Sequence, residues 1–273
     1  MPLLLAVYAF ALGAVVGSFL NVVIHRYPRE ESIVFPASHC PHCNTPIRLY
    51  DNIPILSYVI LRGRCRSCRE PFSARYPLVE LANALFYLAV YQRTGATIAF
   101  IPVAAAISMT IVLIFIDADI QILPDVIDLP GIAVGLVIGS LALGACYPSL
   151  TLASNLRESI IGAAAGSGVL LAIALAYKLI RRIEGMGLGD VKMMAMLGAI
   201  LGWAPLLPLM VIASATGAVV GVLVALRSER GMRVPIPFGV FLGIAFLVIL
   251  FFGHTFLALM GMEFSPAALT LFG

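Results

Sequence analysis

The sequence predicts an all-α, polytopic membrane protein with about eight transmembrane helices and a small cytosolic domain between the first two. Of its 273 residues, 61% are hydrophobic and only 11% are charged, whereas a soluble domain is about half apolar and a quarter charged. A spanning helix needs about 20 mostly apolar residues. One window is short and has prolines at its border, so six or seven spans remain alternatives. The predicted spans lie near 3–24, 77–92, 98–116, 129–147, 159–180, 191–203, 205–226 and 237–260.

The domain organisation follows from where the hydrophobic pattern is interrupted. Residues 1–25 are predicted to be an uncleaved first helix, because no basic amino-terminal region and no small-residue cleavage site accompany the apolar run. Residues 26–76 carry prolines, arginines and four of the five cysteines, and are predicted to form the inserted domain. Residues 77–273 are predicted to form the rest of the helical bundle.

The positions of the basic residues predict the orientation of the chain. With eight spans, 15 of the 17 Lys and Arg residues fall on one side of the membrane, and only Arg93 and Arg157 fall on the other. Basic loops face the cytoplasm, which places residues 26–76 in the cytoplasm and both termini outside. The net charge of +3 reports this topology, so no nucleic-acid partner is expected.

Four cysteines in the inserted domain predict a metal site. Cys40-Pro-His-Cys43 and Cys65-Arg-Ser-Cys68 are separated by 21 residues. Two paired CxxC thiolates match a four-sulfur zinc site, and this spacing is at or just beyond the usual range of a zinc ribbon. Two disulfides are the alternative, although disulfides rarely persist in a reducing cytosol. A closed four-sulfur shell has no position for water, so the predicted role of the zinc is structural.

Two aspartates at the ends of predicted spans are the candidate catalytic residues. Asp117 ends the third span and Asp190 begins the sixth, so the topology places both at one depth. Two carboxylates that share a proton can act as general base and general acid towards a peptide bond. Gly187 and Gly189 leave room beside Asp190 for an extended peptide. Alternatively, Asp190 caps a helix and pairs with Lys192, or the carboxylates serve an ion pathway.

Three further aspartates rank below this pair. Asp119 would face another side of the helix that carries Asp117, and Asp125 and Asp128 have the character of turn or helix N-cap residues. The chain has no HExxH or GxSxG motif, so zinc-hydrolase and serine-nucleophile chemistry lack a signature.

Several long motifs in order along the chain resemble the type IV prepilin peptidases, also called leader peptidase and N-methyltransferase. These motifs are Gly17-Ser-Phe-Leu-Asn-Val-Val-Ile-His-Arg-Tyr-Pro28, the two CxxC pairs around Tyr50-Asp-Asn-Ile-Pro-Ile-Leu-Ser57, Arg75-Tyr-Pro-Leu-Val-Glu-Leu81, the segment from Phe115-Ile-Asp117 to Leu123-Pro-Asp125, and Gly187-Leu-Gly-Asp-Val-Lys192.

The resemblance implies a specific activity in the bacterial inner membrane. Members are intramembrane aspartyl peptidases of the GxGD type that remove the basic leader of type IV prepilins and pseudopilins, and many methylate the new N-terminal residue with S-adenosylmethionine. The catalytic aspartates carry over to Asp117 and Asp190. The methyltransferase activity is linked to the cysteine domain and to a Gly-basic pair, here Gly63-Arg64.

One acidic residue and two alternative functions remain open at this point. Glu80 lies at the start of the second span, where it could contact a basic leader or a methyl-donor amine, or pair with Arg75 or another arginine. The chain could instead be an ion- or proton-coupled transporter with a metal-binding loop, or a scaffold whose zinc loop docks a secretion partner.

Overall fold

The computed structural model describes residues 2–182, 187–227 and 236–261. The described chain is mostly helical and contains no sheet. It divides after Phe100 into two compact units. The helices are α1 (Pro2–Arg26), α2 (Leu56–Ile60), α3 (Arg75–Thr94), α4 (Phe100–Ile120), α5 (Asp125–Ser140), α6 (Leu143–Cys146), α7 (Leu156–Arg181), α8 (Leu188–Leu201), α9 (Leu206–Arg227) and α10 (Phe238–Leu259).

The predicted all-α membrane architecture is confirmed, whereas the count of eight spans stays a prediction. Seven predicted spans fall on one helix each, namely α1, α3, α4, α7, α8, α9 and α10. The span predicted over 129–147 covers two helices, most of α5 and the short α6. Within the described residues, five helices are long and apolar enough to cross a membrane. They are Pro2–Arg29 (α1 with the turn after it), Phe100–Ile120, Leu156–Arg181, Leu206–Arg227 and Phe238–Leu259. Residues 262–273, at the predicted external terminus, lie outside the described part.

In the first unit, α1 and α3 pack against each other at small residues. A Cβ at Gly13 would lie 2.7 Å from the Ala84 Cα, so the two helix backbones are in close contact there. Next to this contact, the buried Asn83 side chain donates a hydrogen bond to the Gly13 carbonyl at 2.7 Å. Such close approach and interhelical hydrogen bonding stabilise helix pairs in lipid, which offers no hydrophobic driving force of its own.

The loop between α1 and α3 contains two knuckles that repeat one backbone pattern. Isolated antiparallel bridges join His39 to Pro46 and Arg64 to Pro71, and each encloses one CxxC pair. The Cys40 amide donates to the Thr45 carbonyl at 3.0 Å, as the Cys65 amide does to the Glu70 carbonyl at 2.8 Å. The sequence analysis did not recognise this short repeat of C-x-x-C-x-x-P at a separation of 25 residues.

In the second unit, α8 is the central helix. Every residue from Met193 to Leu201 is buried, which explains why this segment is apolar on all sides although it is short. It packs closely against α7, because a Cβ at Gly162 would lie 2.1 Å from the Gly198 carbonyl oxygen. The start of α7 is closed by a reciprocal cap, in which Asn155 accepts from the Glu158 amide at 2.9 Å and Glu158 accepts from the Ser154 amide at 2.8 Å.

Candidate active site and metal centre

Asp117 is buried at the end of α4, facing the beginning of α10. Its side chain is 4% exposed, and its Oδ2 accepts a hydrogen bond from the Val240 amide at 3.0 Å. A Cβ at Gly239 would lie only 2.8 Å from the same oxygen. The first amide groups of a helix have no partner within the helix and favour an anion. The first turn of α10 therefore holds the carboxylate of Asp117 in place.

Asp190 lies in the first turn of α8, close to Asp117. Its carboxylate accepts a hydrogen bond from the Gly187 amide and interacts electrostatically with Asp117. The side chain of Leu123 contacts both the start of α8 and the start of α10. A Cβ added at Gly189 would lie 2.9 Å from this side chain, and a Cβ added at Gly239 would lie 3.0 Å from it. The structure thus brings the two aspartates, 73 residues apart in sequence, into one half-buried site.

Lys192 does not pair with Asp190, contrary to one alternative from the sequence. Its Nζ lies 2.7 Å from both carboxylate oxygens of Asp125. The N-cap position of α5 belongs to Pro124, so the expectation that Asp125 caps a helix is wrong. The capping role proposed for Asp190 holds, since its side chain bonds the amide of Gly187, the N-cap residue of α8.

Asp128 is also not a cap. It lies in the first turn of α5 with an exposed fraction of 0%, and neither of its carboxylate oxygens has a hydrogen-bond partner among the described residues. Its electrostatic neighbours are Asp125, Lys192 and Asp190. Asp119, by contrast, is exposed. A third buried carboxylate therefore lies near the aspartate pair, and the N-cap expectation missed it.

The four cysteines of the loop converge on a single point. Sγ of Cys40 lies 3.8 Å from Sγ of Cys68, and Sγ of Cys43 lies 3.9 Å from Sγ of Cys65. All four sulfurs lie within 4.8 Å of one another. A tetrahedral ion with Zn–S bonds of about 2.3 Å would hold its sulfurs about 3.8 Å apart. Because all four are free thiols, the group can bind a thiophilic metal.

At two of the four cysteines, local hydrogen bonds favour the thiolate form that a metal requires. Hydrogen bonding to Thr45, whose Oγ1 lies 3.2 Å from Sγ, lowers the pKa of Cys43 to about 6. The backbone amides of Cys68 and Ser67 lower the pKa of Cys65. Since the thiolate is the form that ligates a metal, these bonds prepare the site for a cation.

The Gly-basic pair and Glu80 both line a cavity in the first unit. Gly63 has a φ of +66°, and a Cβ there would lie 2.8 Å from the Tyr58 ring, so the pair needs glycine at its first position. Arg64, the basic member, is exposed. Glu80 is buried and accepts the Ile55 amide at 2.7 Å. No described residue forms an ion pair with Glu80, so the expected pairing with an arginine is wrong.

The sequence of the chain is similar to known proteins over both of its compact units. Residues 11–94 match the family model described as Bacterial Peptidase A24 N-terminal domain, and residues 104–222 match that of the Type IV leader peptidase family. A protein of Burkholderia pseudomallei (strain 1026b) named prepilin leader peptidase/N-methyltransferase is 39% identical, covering 93% of this chain and 87% of the relative. One of the same name from Aeromonas hydrophila is 38% identical, covering 93% of each.

The chain belongs to the type IV leader peptidase family. This confirms the family that the motifs indicated. The two matched segments meet between residues 94 and 104, close to the division between the compact units after Phe100. The cysteine cluster and the Gly-basic pair lie in the first segment, and the aspartate pair lies in the second. No solved structure matches the chain.

Two elements of the site were missed by the sequence analysis. The Phe238–Val240 turn, which holds Asp117, has only a weak signal: Pro237 and Gly239 directly precede the last apolar run. Nothing in the sequence indicates that Asp128 is buried. An acidic residue four positions after Pro124 is equally expected at an exposed position in the first turn of a helix.

Proposed function

We propose that the chain removes the short basic leader of type IV prepilins and pseudopilins, and that it methylates the new N-terminal residue with S-adenosylmethionine. The observation that carries the cleavage activity is the convergence of Asp117 and Asp190 at one end of the second unit. Relatives that cover most of the chain are named for both activities. Their names also imply prepilin substrates.

In this proposal the two aspartates divide the work of peptide hydrolysis. One carboxylate removes a proton from water, and the other, in its protonated form, donates a proton to the carbonyl oxygen of the scissile peptide. The Val240 amide holds Oδ2 of Asp117, and the Gly187 amide holds the carboxylate of Asp190. These bonds fix the orientation of both groups before a substrate binds, which is the positional control that catalysis needs.

The metal in this proposal is zinc, and its role is structural. Cys40, Cys43, Cys65 and Cys68 would hold it as a closed tetrahedral shell. When bound, it supplies a cross-link between the two knuckles of a loop that has almost no core of its own. We also propose that this loop lies in the cytoplasm of a bacterium and that the bundle lies in the inner membrane, as the distribution of basic residues indicates.

Leader cleavage in vitro tests the aspartate pair. Purified full-length protein in detergent is incubated with a prepilin, and the loss of the leader is followed by mass spectrometry. Asp117→Asn and Asp190→Asn should each abolish cleavage, because a neutral amide can neither accept nor donate the required proton. Asp119→Asn is the matched control, since Asp119 is exposed and lies two residues from Asp117. This variant should cleave at the wild-type rate.

The same experiment separates the alternatives. Wild-type cleavage rates in either the Asp117 or the Asp190 variant would contradict a two-aspartate mechanism. An ion- or proton-coupled transporter predicts flux into vesicles that depends on those carboxylates and no processing of the prepilin. A scaffold predicts that both carboxylates are dispensable and that replacement of Cys40 or Cys65 is not.

A further inference from the structure

A large cavity in the first unit lies between α1, the cysteine loop and the start of α3. Its volume is about 730 Å³, within the range of about 300–1,000 Å³ that is typical of small-molecule sites. The cysteine loop contributes Gly63 and Arg64 to its wall, while the helices contribute Asn21, His25 and Glu80. Cys40 and Cys65 of the metal shell also line the cavity, whereas neither residue of the aspartate pair does.

The wall of the cavity on α1 changes character along the helix. The Asn21 side chain donates to the Tyr76 carbonyl at 3.0 Å. One turn earlier, a Cβ added at Gly17 would lie 2.7 Å from the Glu80 Cα, so α1 and α3 are in close contact there. The wall continues along α1 to Phe19 and Val15, which are apolar and exposed. The cysteine loop adds the basic side chains of Arg48, Arg64 and Arg66 among apolar ones. The cavity therefore offers apolar surface on α1 and positive charge on the loop.

Glu80 is the only acidic residue on the helical wall of this cavity within the described chain. Its side chain accepts hydrogen bonds from the Ile55 amide and the Ser18 hydroxyl. A carboxylate has about four acceptor positions, so positions remain for a ligand. A buried carboxylate without a cation is costly. In a membrane helix such a residue is by default a candidate functional site.

The arginines of the cavity have other partners or positions. Arg26 donates to the carbonyls of Ser32 and Pro36 at 3.0 and 2.8 Å. Arg66 donates to both carboxylate oxygens of Asp51. Arg64 is exposed on the loop. Arg48 lies beside Tyr50. No described residue forms an ion pair with Glu80, so its carboxylate is available to a cationic ligand.

We propose that Glu80 binds the free N-terminal ammonium group of the cleaved protein and accepts its proton for methylation. This inference rests on the methyltransferase part of the proposed function. The apolar end of the cavity, lined by Val15 and Phe19, receives the hydrophobic N-terminal residue from the bilayer. The loop end, with Arg64, receives the carboxylate of the sulfonium methyl donor.

The chemical step balances with the groups named. Glu80 takes one proton from the ammonium group, which frees the lone pair of the nitrogen. That lone pair attacks the methyl carbon of the sulfonium, so a C–N bond forms and the S–CH₃ bond breaks. Its electron pair stays on sulfur, which leaves as a thioether. The product is a secondary ammonium, and the proton on Glu80 passes to water.

The test measures methyl transfer separately from cleavage. Full-length protein in detergent is given S-adenosylmethionine and a pilin N-terminal peptide that begins with a free-amine phenylalanine. Binding of S-adenosylhomocysteine is measured by calorimetry. Glu80→Gln should raise the KM for the peptide about tenfold to hundredfold, as expected for loss of a hydrogen bond to a charged group. It should also lower kcat, with cleavage and S-adenosylhomocysteine binding unchanged. Glu70→Gln is the matched control, because Glu70 is a glutamate of the cysteine loop that lies outside the cavity, with its carboxylate 3.8 Å from His42.

An N-acetylated form of the peptide gives an independent readout. As a competitor it should be much weaker than the free-amine peptide against the wild type. With the Glu80→Gln variant, the acetylated and the free-amine peptide should compete equally. The positive charge of the free amine then no longer contributes to binding. A role of Glu80 in structure alone would not produce this change in selectivity.

The outcomes are distinguishable. If the wild type does not methylate the peptide, the methyltransferase part of the proposed function fails and this inference fails with it. If the wild type methylates and Glu80→Gln has unchanged peptide kinetics, only the inference is overturned. Weaker S-adenosylhomocysteine binding with an unchanged peptide KM would also overturn it, since Glu80 would then serve the donor. Should Glu80→Gln lose its metal or its cleavage activity, Phe19→Trp decides: filling the apolar end should block methylation alone, and wild-type methylation would refute the proposal.

Discussion

Gly239→Ala should slow leader cleavage by moving the carboxylate of Asp117. The added Cβ would lie 2.8 Å from Oδ2 of Asp117, whereas an ordinary contact begins at 3.4 Å. The carboxylate therefore has to move by about 0.6 Å, or α10 has to move away and lengthen the bond from the Val240 amide. Since a misplacement of about 1 Å can cost about a hundredfold in rate, we expect at least a tenfold loss of kcat.

The same methyl group would also press on the second aspartate. Cδ1 of Leu123 lies 3.0 Å from the added Cβ, and the opposite side of Leu123 contacts Gly189, next to Asp190. Both carboxylates are displaced together, so the effect should appear in kcat rather than in the KM for the prepilin.

Single-turnover cleavage of a purified prepilin is the appropriate assay. The matched control is Gly168→Ala on α7, where an added Cβ meets no atom within 4 Å. Methyl transfer to a pre-cleaved peptide, which we assign to the first unit, reports whether that unit is intact, and the melting temperature reports whether the second unit, which contains Gly239, is folded. A Gly239→Ala protein that methylates normally and cleaves at the wild-type rate would refute the assignment of this turn to the active site.

Three further predictions test other parts of the structure. Asp128→Val should raise the free energy of unfolding by about 1–3 kcal/mol, because it removes two buried oxygens that have no hydrogen-bond partner among the described residues; a lower melting temperature would show that these oxygens are satisfied. Gly162→Ala should destabilise the protein by at least about 1–3 kcal/mol, since its Cβ would lie 2.1 Å from the Gly198 carbonyl oxygen, whereas Gly168→Ala should be neutral or slightly stabilising in the same thermal scan. Elemental analysis should find one zinc per chain, and Cys65→Ser should lose it while leader cleavage continues; retention of the metal would contradict the four-sulfur shell.

In the cysteine loop, the sequence predicted the candidate metal-binding residues but not the backbone conformation around them. The ligand set was predictable, because two CxxC pairs at this spacing have few other uses. The matching backbone of the two knuckles was not recognised, although both end in proline at the same offset. At most other positions of the repeat the residues differ. The similarity lies in main-chain hydrogen bonds, and these leave little trace in the sequence.

The aspartates show where prediction from sequence ends. Asp117, Asp190 and Asp128 all follow or precede apolar runs, so hydropathy and local spacing cannot rank them by burial or by partner. Lys192 is two residues from Asp190 but binds Asp125, because side chains two positions apart on a helix face different directions. The contact depends on how α5 and α8 pack.

The sequence by itself determined the membrane class of the chain, the approximate position of its long helices, the four cysteines of the candidate metal site and the family. These properties depend on composition, on the length of apolar runs and on short motifs, all of which are local. Only the tertiary structure decided that α10 holds Asp117, that Asp128 is buried with no hydrogen-bond partner among the described residues, and that Glu80 faces a cavity without an ion-pair partner among them. Each of these depends on close contacts between helices that are far apart in sequence, and such contacts are set by packing.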